Sequence, residues 1–268
     1  MVDTVMQVSQ ESLTGMLFTT IISFVLPIAL VVFVKVKLKA KVSTFFIGCV
    51  SFVFFAMFLE SLFHGLVLKM TGDTFTEQKI LYAIYAGLTA AIFEEIGRYV
   101  VMKYWMKNTL DRQNAIMYGV GHGGVEAITI IGFSYLSNYV VSRMINAGQL
   151  EKSLSAMDAT LREETIQSLS PLWEIPGYQF YVAGVERISA IILQIALSYL
   201  VYKAIQMNEP KMMGLAMLIH FLVDCVTIIL SLYLSIFVVE ALLFGIVAVI
   251  AIFIFRMYRQ EKNTDIVI

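Results

Sequence analysis

Two adjacent glutamates and an arginine, Glu94, Glu95 and Arg98, stand in the stretch AIFEEIGRYV, inside a run otherwise apolar enough to cross a bilayer. Two histidine–acid pairs stand in other such runs: His122 with Glu126 in GHGGVE, and His220 with Asp224 in HFLVD. A charge in a bilayer interior costs roughly 2.5–3.5 kcal/mol on insertion scales, so it persists where it pairs, meets a wet cavity or does chemistry. A spacing of four puts both members of each pair on one helix face, and Arg98 can reach either glutamate. In each pair the acid can hold the imidazole's tautomer. Two histidines and a carboxylate at one level could hold zinc with an open fourth position, drawn from His122, His220, Glu94, Glu126 and Asp224. They could equally activate a water without metal, with a glutamate as general base and the histidines stabilising the oxyanion. Both routes hydrolyse a carbonyl. The zinc-protease signature HExxH does not occur.

The elements that must position these groups are membrane-spanning helices. Seven apolar runs fall near 13–35, 44–69, 79–103, 114–140, 178–203, 212–232 and 236–256. Counted from the same end of spans three, four and six, Glu94, His122 and His220 each lie eight residues in, a depth of roughly 12 Å at 1.5 Å per residue. Glu126 and Asp224 are one turn deeper. Four glycines surround the histidine in GVGHGGVEA. They let helices approach closely, and they also leave room beside His122 for a substrate backbone or a water. A second group contains Glu60 and His64 in span two, Glu186 and Arg187 in span five, and Glu240 in span seven. It reads as mainly structural, with Arg187 pairing to Glu60 or Glu186.

The expected fold is therefore an all-α, polytopic transmembrane bundle forming one integral membrane domain over residues 1–268. Of these residues 59% are hydrophobic and 15% charged, with a mean hydropathy of +0.81. Soluble domains are nearer 45–50% apolar. The net charge of −1 implies no general attraction to nucleic acid. Twelve lysines and arginines fall in the loops of one side and five in those of the other. That asymmetry puts the amino terminus outside and the carboxyl terminus in the cytoplasm. The segment 142–177 then faces outward. Leu150, Leu154, Met157 and Leu161 recur there at helical spacing, which suggests a short amphipathic helix on the membrane or a solvated connector. Cys49 and Cys225 both lie in apolar runs and read as packing residues.

EEIGR, YGVGH and HFLVD occur in the order of the three motifs of the CAAX-protease and bacteriocin-processing (ABI) superfamily, which the chain resembles. With GHGGVEA and the ERISA of span five (Glu186, Arg187), it looks closer to the YhfC family of intramembrane metalloproteases. The resemblance covers roughly residues 40–235 and implies an intramembrane endopeptidase of the cell membrane. Glu94 or Glu95 would activate water, and His122, His220 and Asp224 would complete the site. Arg98, Glu126, Glu186 and Arg187 would support it. Tyr118 replaces the superfamily's phenylalanine, and Asp224 stands where asparagine is frequent. The acid at 224 makes a metal, zinc above all, more plausible. The partners implied are membrane lipid and a peptide or protein substrate in the membrane, with no nucleic acid. The rival readings are a proton-coupled transporter or channel and a non-catalytic membrane scaffold. The transporter reading lacks the inverted repeat and the broken-helix prolines that such proteins use.

Overall fold

The computed structural model describes residues 6–72, 75 and 77–261. Lys262, counted above, lies outside them. Among the described residues the elements are helical, and seven are long and apolar enough to cross a membrane. These are α1 (Gln10–Leu38), α2 (Val42–Thr71), α3 (Lys79–Trp105), α4 (Arg112–Asn146), α8 (Tyr178–Met207), α9 (Pro210–Ser231) and α10 (Ile236–Gln260). Between α4 and α8 lie three short helices, α5 (Gln149–Leu154), α6 (Ala159–Leu169) and α7 (Pro171–Glu174). The seven match the runs expected from the sequence, with ends that differ by at most six residues and most of them longer. The protein is a multi-pass integral membrane protein. Its lipid-facing surface shows directly: Phe237, Phe244, Val249, Phe253 and Phe255 of α10 are all exposed, an apolar area that a soluble monomer does not present to water.

The helix ends carry local signals. Ser9 caps α1, its hydroxyl accepting from the Ser12 N–H at 3.0 Å. Asp111 does the same ahead of α4, accepting from the Asn114 N–H at 2.7 Å. Pro210 opens α9, where a missing N–H costs nothing. Three spans contain a π-helical stretch: Val53–Glu60 in α2, Val101–Trp105 in α3 and Ala127–Gly132 in α4. Such stretches are rare and gather at functional sites.

The chain divides into two compact units. One comprises residues up to Val25 together with Ala127–Ile188. Its core is Val8, Leu13, Met16, Ile145, Leu172 and Phe180, and Asn146 clasps the backbone of Val8 in both directions at 2.8 Å. The segment read as a short amphipathic helix or a solvated connector lies in this unit. It is three helices instead. Asp158 caps α6 by accepting from the Leu161 N–H at 3.0 Å, which starts a new helix. Leu154 is buried while Leu161 is exposed, and they lie on different helices, so the four apolar residues do not form one buried stripe.

The other unit comprises Leu26–Glu126 and Ser189–Ile268. Its core runs from Met102 and Tyr118 through Leu197, Tyr199 and Leu200 to Val247 and Ile254. Two close helix pairings define it. α2 lies along the first half of α4, where a Cβ on Gly48 would stand 2.9 Å from the His122 nitrogen. α3 lies along α9, where a Cβ on Gly87 would stand 3.0 Å from the Phe221 carbonyl and the Cys225 nitrogen. These approaches need glycine, and they bring the ionisable residues of three helices together.

Candidate functional site

Arg98 is the centre of the arrangement. Its side chain is fully buried, and a buried cation left without partners would destabilise the fold by several kcal/mol. Nη1 donates to the Gln194 carbonyl at 2.7 Å and to Ser198 Oγ at 2.8 Å. Nη2 donates to Gln194 Oε1 at 2.5 Å. The same nitrogen stands 3.4 Å from Glu95 Oε1 and 3.8 Å from Glu94 Oε2. The i+3 and i+4 pairings expected from the sequence are both present.

The two glutamates differ. Glu95 is wholly buried, and its Oε1 meets His220 Nδ1 at 2.8 Å. The other ring nitrogen, Nε2, stands 3.4 Å from Asp224 Oδ2. Both nitrogens of His220 thus face carboxylates, and only an imidazolium can donate to two acceptors. Glu94 faces the other histidine: His122 Nε2 lies 2.9 Å from its Oε2. That same Nε2 is 3.2 Å from Arg98 Nη2. With the proton on the imidazole, the ring donates to Glu94; with the proton on Glu94, the ring accepts from it or from Arg98. Both placements are geometrically ready. Phe52 stands edge-on to the His122 ring with centroids 5.1 Å apart. His122 turns Nε2 to Glu94 rather than to Glu126, and its Nδ1 has no partner.

Glu126 is joined to the cluster by a residue that the sequence reading did not single out. Gln194 Nε2 donates to Glu126 Oε2 at 2.8 Å and to Glu94 Oε2 at 3.1 Å. Gln194 and Ser198 stand four apart in ILQIALS of α8. Two polar residues on one face of an apolar helix were the available signal. The glycines around His122 serve packing. A Cβ on Gly119 would stand 2.7 Å from the Ile195 Cα, one on Gly123 would meet the Gln194 stem at 2.8 Å, and one on Gly124 would meet Pro27 at 2.8 Å. A Cβ on Gly121 would run into the Phe45 carbonyl. Helix neighbours fill the space that the sequence reading also offered to a substrate.

The second group divides between the two units. Glu60 pairs with His64 at 3.2 Å, and His64 Nδ1 meets the Tyr85 hydroxyl at 2.7 Å. Glu60 lies within electrostatic reach of Glu94, His220 and Asp224. Arg187 pairs with the neighbouring Glu186 in the first unit. Glu240 lines a separate cleft with Thr227 and Ser231.

The same geometry tests a metal. A zinc ligand must turn an unprotonated ring nitrogen or a free carboxylate oxygen to a shared point. His220 has both nitrogens on carboxylates, His122 Nε2 is taken by Glu94, and the Arg98 cation stands among them. Among the described residues no three side chains of His, Cys, Asp or Glu surround one point. His122, His220, Glu94, Glu126 and Asp224, as arranged, do not fit a metal ion.

The comparisons bear on the same segment. A family model described as "YhfC intramembrane metalloprotease" matches residues 22–243. The chain is 37% identical over 217 residues to "Uncharacterized membrane protein YhfC" of Bacillus subtilis (strain 168), covering 80% of this chain and 83% of that protein. No solved structure matches it.

Proposed function

From a chain that belongs to the YhfC intramembrane metalloprotease family, we propose an endopeptidase that hydrolyses a peptide bond of a membrane-embedded substrate, with Glu94 activating the water. Its partners are then membrane lipid and a peptide or protein in the membrane. The order of the EEIGR, YGVGH and HFLVD motifs further supports a place in the CAAX-protease and bacteriocin-processing superfamily.

The contact of Glu94 with His122 beside a buried arginine carries the reading. Both hydrogen bonds to Glu94 fall on Oε2, so Oε1 is the oxygen left to meet water. The Glu94 side chain keeps 9% exposure and that of Asp224 keeps 35%, while Glu95 has none. Glu94 is therefore the base and Glu95 a holder of Arg98 and His220. Water adds to the scissile carbonyl as its proton passes to Glu94. The oxyanion forms beside the His220 imidazolium, whose positive charge Glu95 and Asp224 maintain and whose field stabilises the negative oxygen. The carbon–nitrogen bond then breaks as Glu94 returns the proton to the leaving nitrogen, giving an acid and an amine. His122 and Arg98 hold the carboxylate through both steps. The family description names a metal; the donor set favours the metal-free route, and none of these steps needs an ion.

The purified chain in liposomes, mixed with quenched membrane-spanning peptides, tests this. Wild type should release fluorescence, and Glu94→Gln and His122→Ala should not. Full cleavage by both variants would reject the assignment, and proton flux without cleavage would favour a transporter.

A further inference from the structure

We propose that Gln194 is the positioning residue of this site: its amide fixes the reactive oxygen of Glu94, holds Glu126 apart from it, and seats the Arg98 guanidinium. The proposal rests on the reading of Glu94 as the base.

Three neighbours set the demand at this position. Arg98 only donates hydrogen bonds, and the carboxylates of Glu94 and Glu126 accept them. The side chain between them must offer one acceptor and two donors in one plane. A primary amide has this set. Its oxygen takes Arg98 Nη2 at 2.5 Å, and its nitrogen gives one hydrogen to Glu94 at 3.1 Å and the other to Glu126 at 2.8 Å. The partners also fix the amide orientation, since a flipped group would aim its oxygen at two carboxylates. A glutamate would repel both acids, an asparagine is one methylene short, and a methionine has the length but no N–H donor and only a weakly accepting sulfur.

The backbone of the same residue is engaged too. Its carbonyl accepts from Arg98 Nη1 at 2.7 Å and from Ser198 Oγ at 2.7 Å. One residue thus holds the arginine at two points, and Gln194 is only 4% exposed. Its stem is wedged: a Cβ on Gly123 would stand 2.8 Å from the Gln194 Cβ and 3.2 Å from the Ile191 Cα. Gly123 is therefore small because Gln194 passes there. The chemical result falls on Glu94. His122 and Gln194 both bind Oε2, which sets the rotation of the carboxylate and so the direction in which Oε1 points. Without the amide, one bond from His122 remains and the plane can turn.

Two measurements on the full-length chain in liposomes test this. The first needs no cleavage. Infrared carboxyl bands that vanish in Glu94→Gln identify Glu94. In Gln194→Met those bands must shift, while in Ser198→Ala, which touches Arg98 but not Glu94, they must stay. Unmoved Glu94 bands in Gln194→Met overturn the proposal, whether or not the protein is a peptidase. The second uses the quenched membrane-spanning peptide. In Gln194→Met, kcat should fall on the order of 100-fold from a misplaced base, with KM within about twofold because ground-state binding is kept. Gln194→Glu keeps an oxygen for Arg98 and loses both donors, so it should fall at least as far. Wild-type kcat in Gln194→Glu would show that the donors do not matter. If Gln194→Met does not fold, Gly123→Ala moves the stem with the amide intact, and it must shift the same bands.

Discussion

Two polar networks in the second unit invite comparison: the cluster around Arg98, and the one around Glu261 at the end of α10. Glu261 receives the hydroxyls of Tyr199 and Tyr202 at 2.6 and 2.7 Å and the Gln206 amide at 2.8 Å. Its carbonyl accepts from Arg112 at 2.6 Å, and the guanidinium lies 4.7 Å over the Tyr258 ring. Every charge there has neutral donors or an opposite charge beside it. At Arg98 the balance is different. Glu95 Oε2, Arg98 Nε and His122 Nδ1 are buried without partners, and Glu94, Glu95 and Asp224 share one guanidinium and two imidazoles. A satisfied network locks helices together. A network left partly unsatisfied costs stability, and such groups gather where chemistry is done.

This contrast can be broken most strongly at Glu94. Glu94→Gln should lower cleavage by on the order of a thousandfold, within the range for loss of a general base. The midpoint of thermal unfolding should hold or rise, because a buried charge is removed. A collapsed midpoint would make the site a structural lock like the one at Glu261. His220→Gln should lower kcat by on the order of a hundredfold, a usual loss when electrostatic stabilisation of an oxyanion is removed, and single-turnover kinetics would place the loss in the chemical step. Chelation by phenanthroline should leave cleavage unchanged; loss restored by added zinc would mean that the donors rearrange around an ion.

Much of this site was legible because charge in an apolar run is conspicuous. Glu94, Glu95, Arg98, His122, His220 and Asp224 stand out at hydropathy's expense, and the helical rise placed three helices at one level. The spans were legible for the same reason, since a bilayer demands about twenty apolar residues. Gln194 escaped because the search followed charged and titratable residues, and a neutral amide is neither. Its role depends on which face α8 turns to α4, and no local pattern encodes that. The partner of Glu126 was misjudged likewise. The i+4 spacing allowed His122, but His122 rotates toward α3. In 142–177 the apolar spacing outweighed the capping residue Asp158, which starts a new helix at Ala159 after the preceding one has ended at Leu154.

The smallest effect belongs to the satisfied network. Burial raises the Glu261 carboxyl, but the hydrogen bonds from Tyr199, Tyr202 and Gln206 outweigh it and hold the group below its ordinary value. A depressed carboxyl stabilises the fold above its unfolded pKa, about 4.3 for glutamate, and that stability is lost as pH falls through the lower folded value. Glu261→Gln should therefore lower the unfolding midpoint by a few degrees at pH 7, roughly what 1 kcal/mol does in a chain of this size. The gap from wild type should close in acid, and cleavage should be untouched. A gap that persists below pH 3 would mean that packing, not charge, holds this end.

The π-helical stretch Val53–Glu60 divides α2 into two parts with separate fates. The part before it carries Gly48, locked against α4; the part after it carries His64 and, from Ser61 to Thr71, no buried residue. A wide turn stores one residue more than an α turn, so a single residue lost there can be absorbed by closing the turn, where a plain α-helix would rotate everything beyond the loss by about 100°. Gly48 and His64 would then both keep their neighbours. The stretch is thus a place where this helix can change length by one residue while the half that holds the histidine and the half beyond it keep the faces they present.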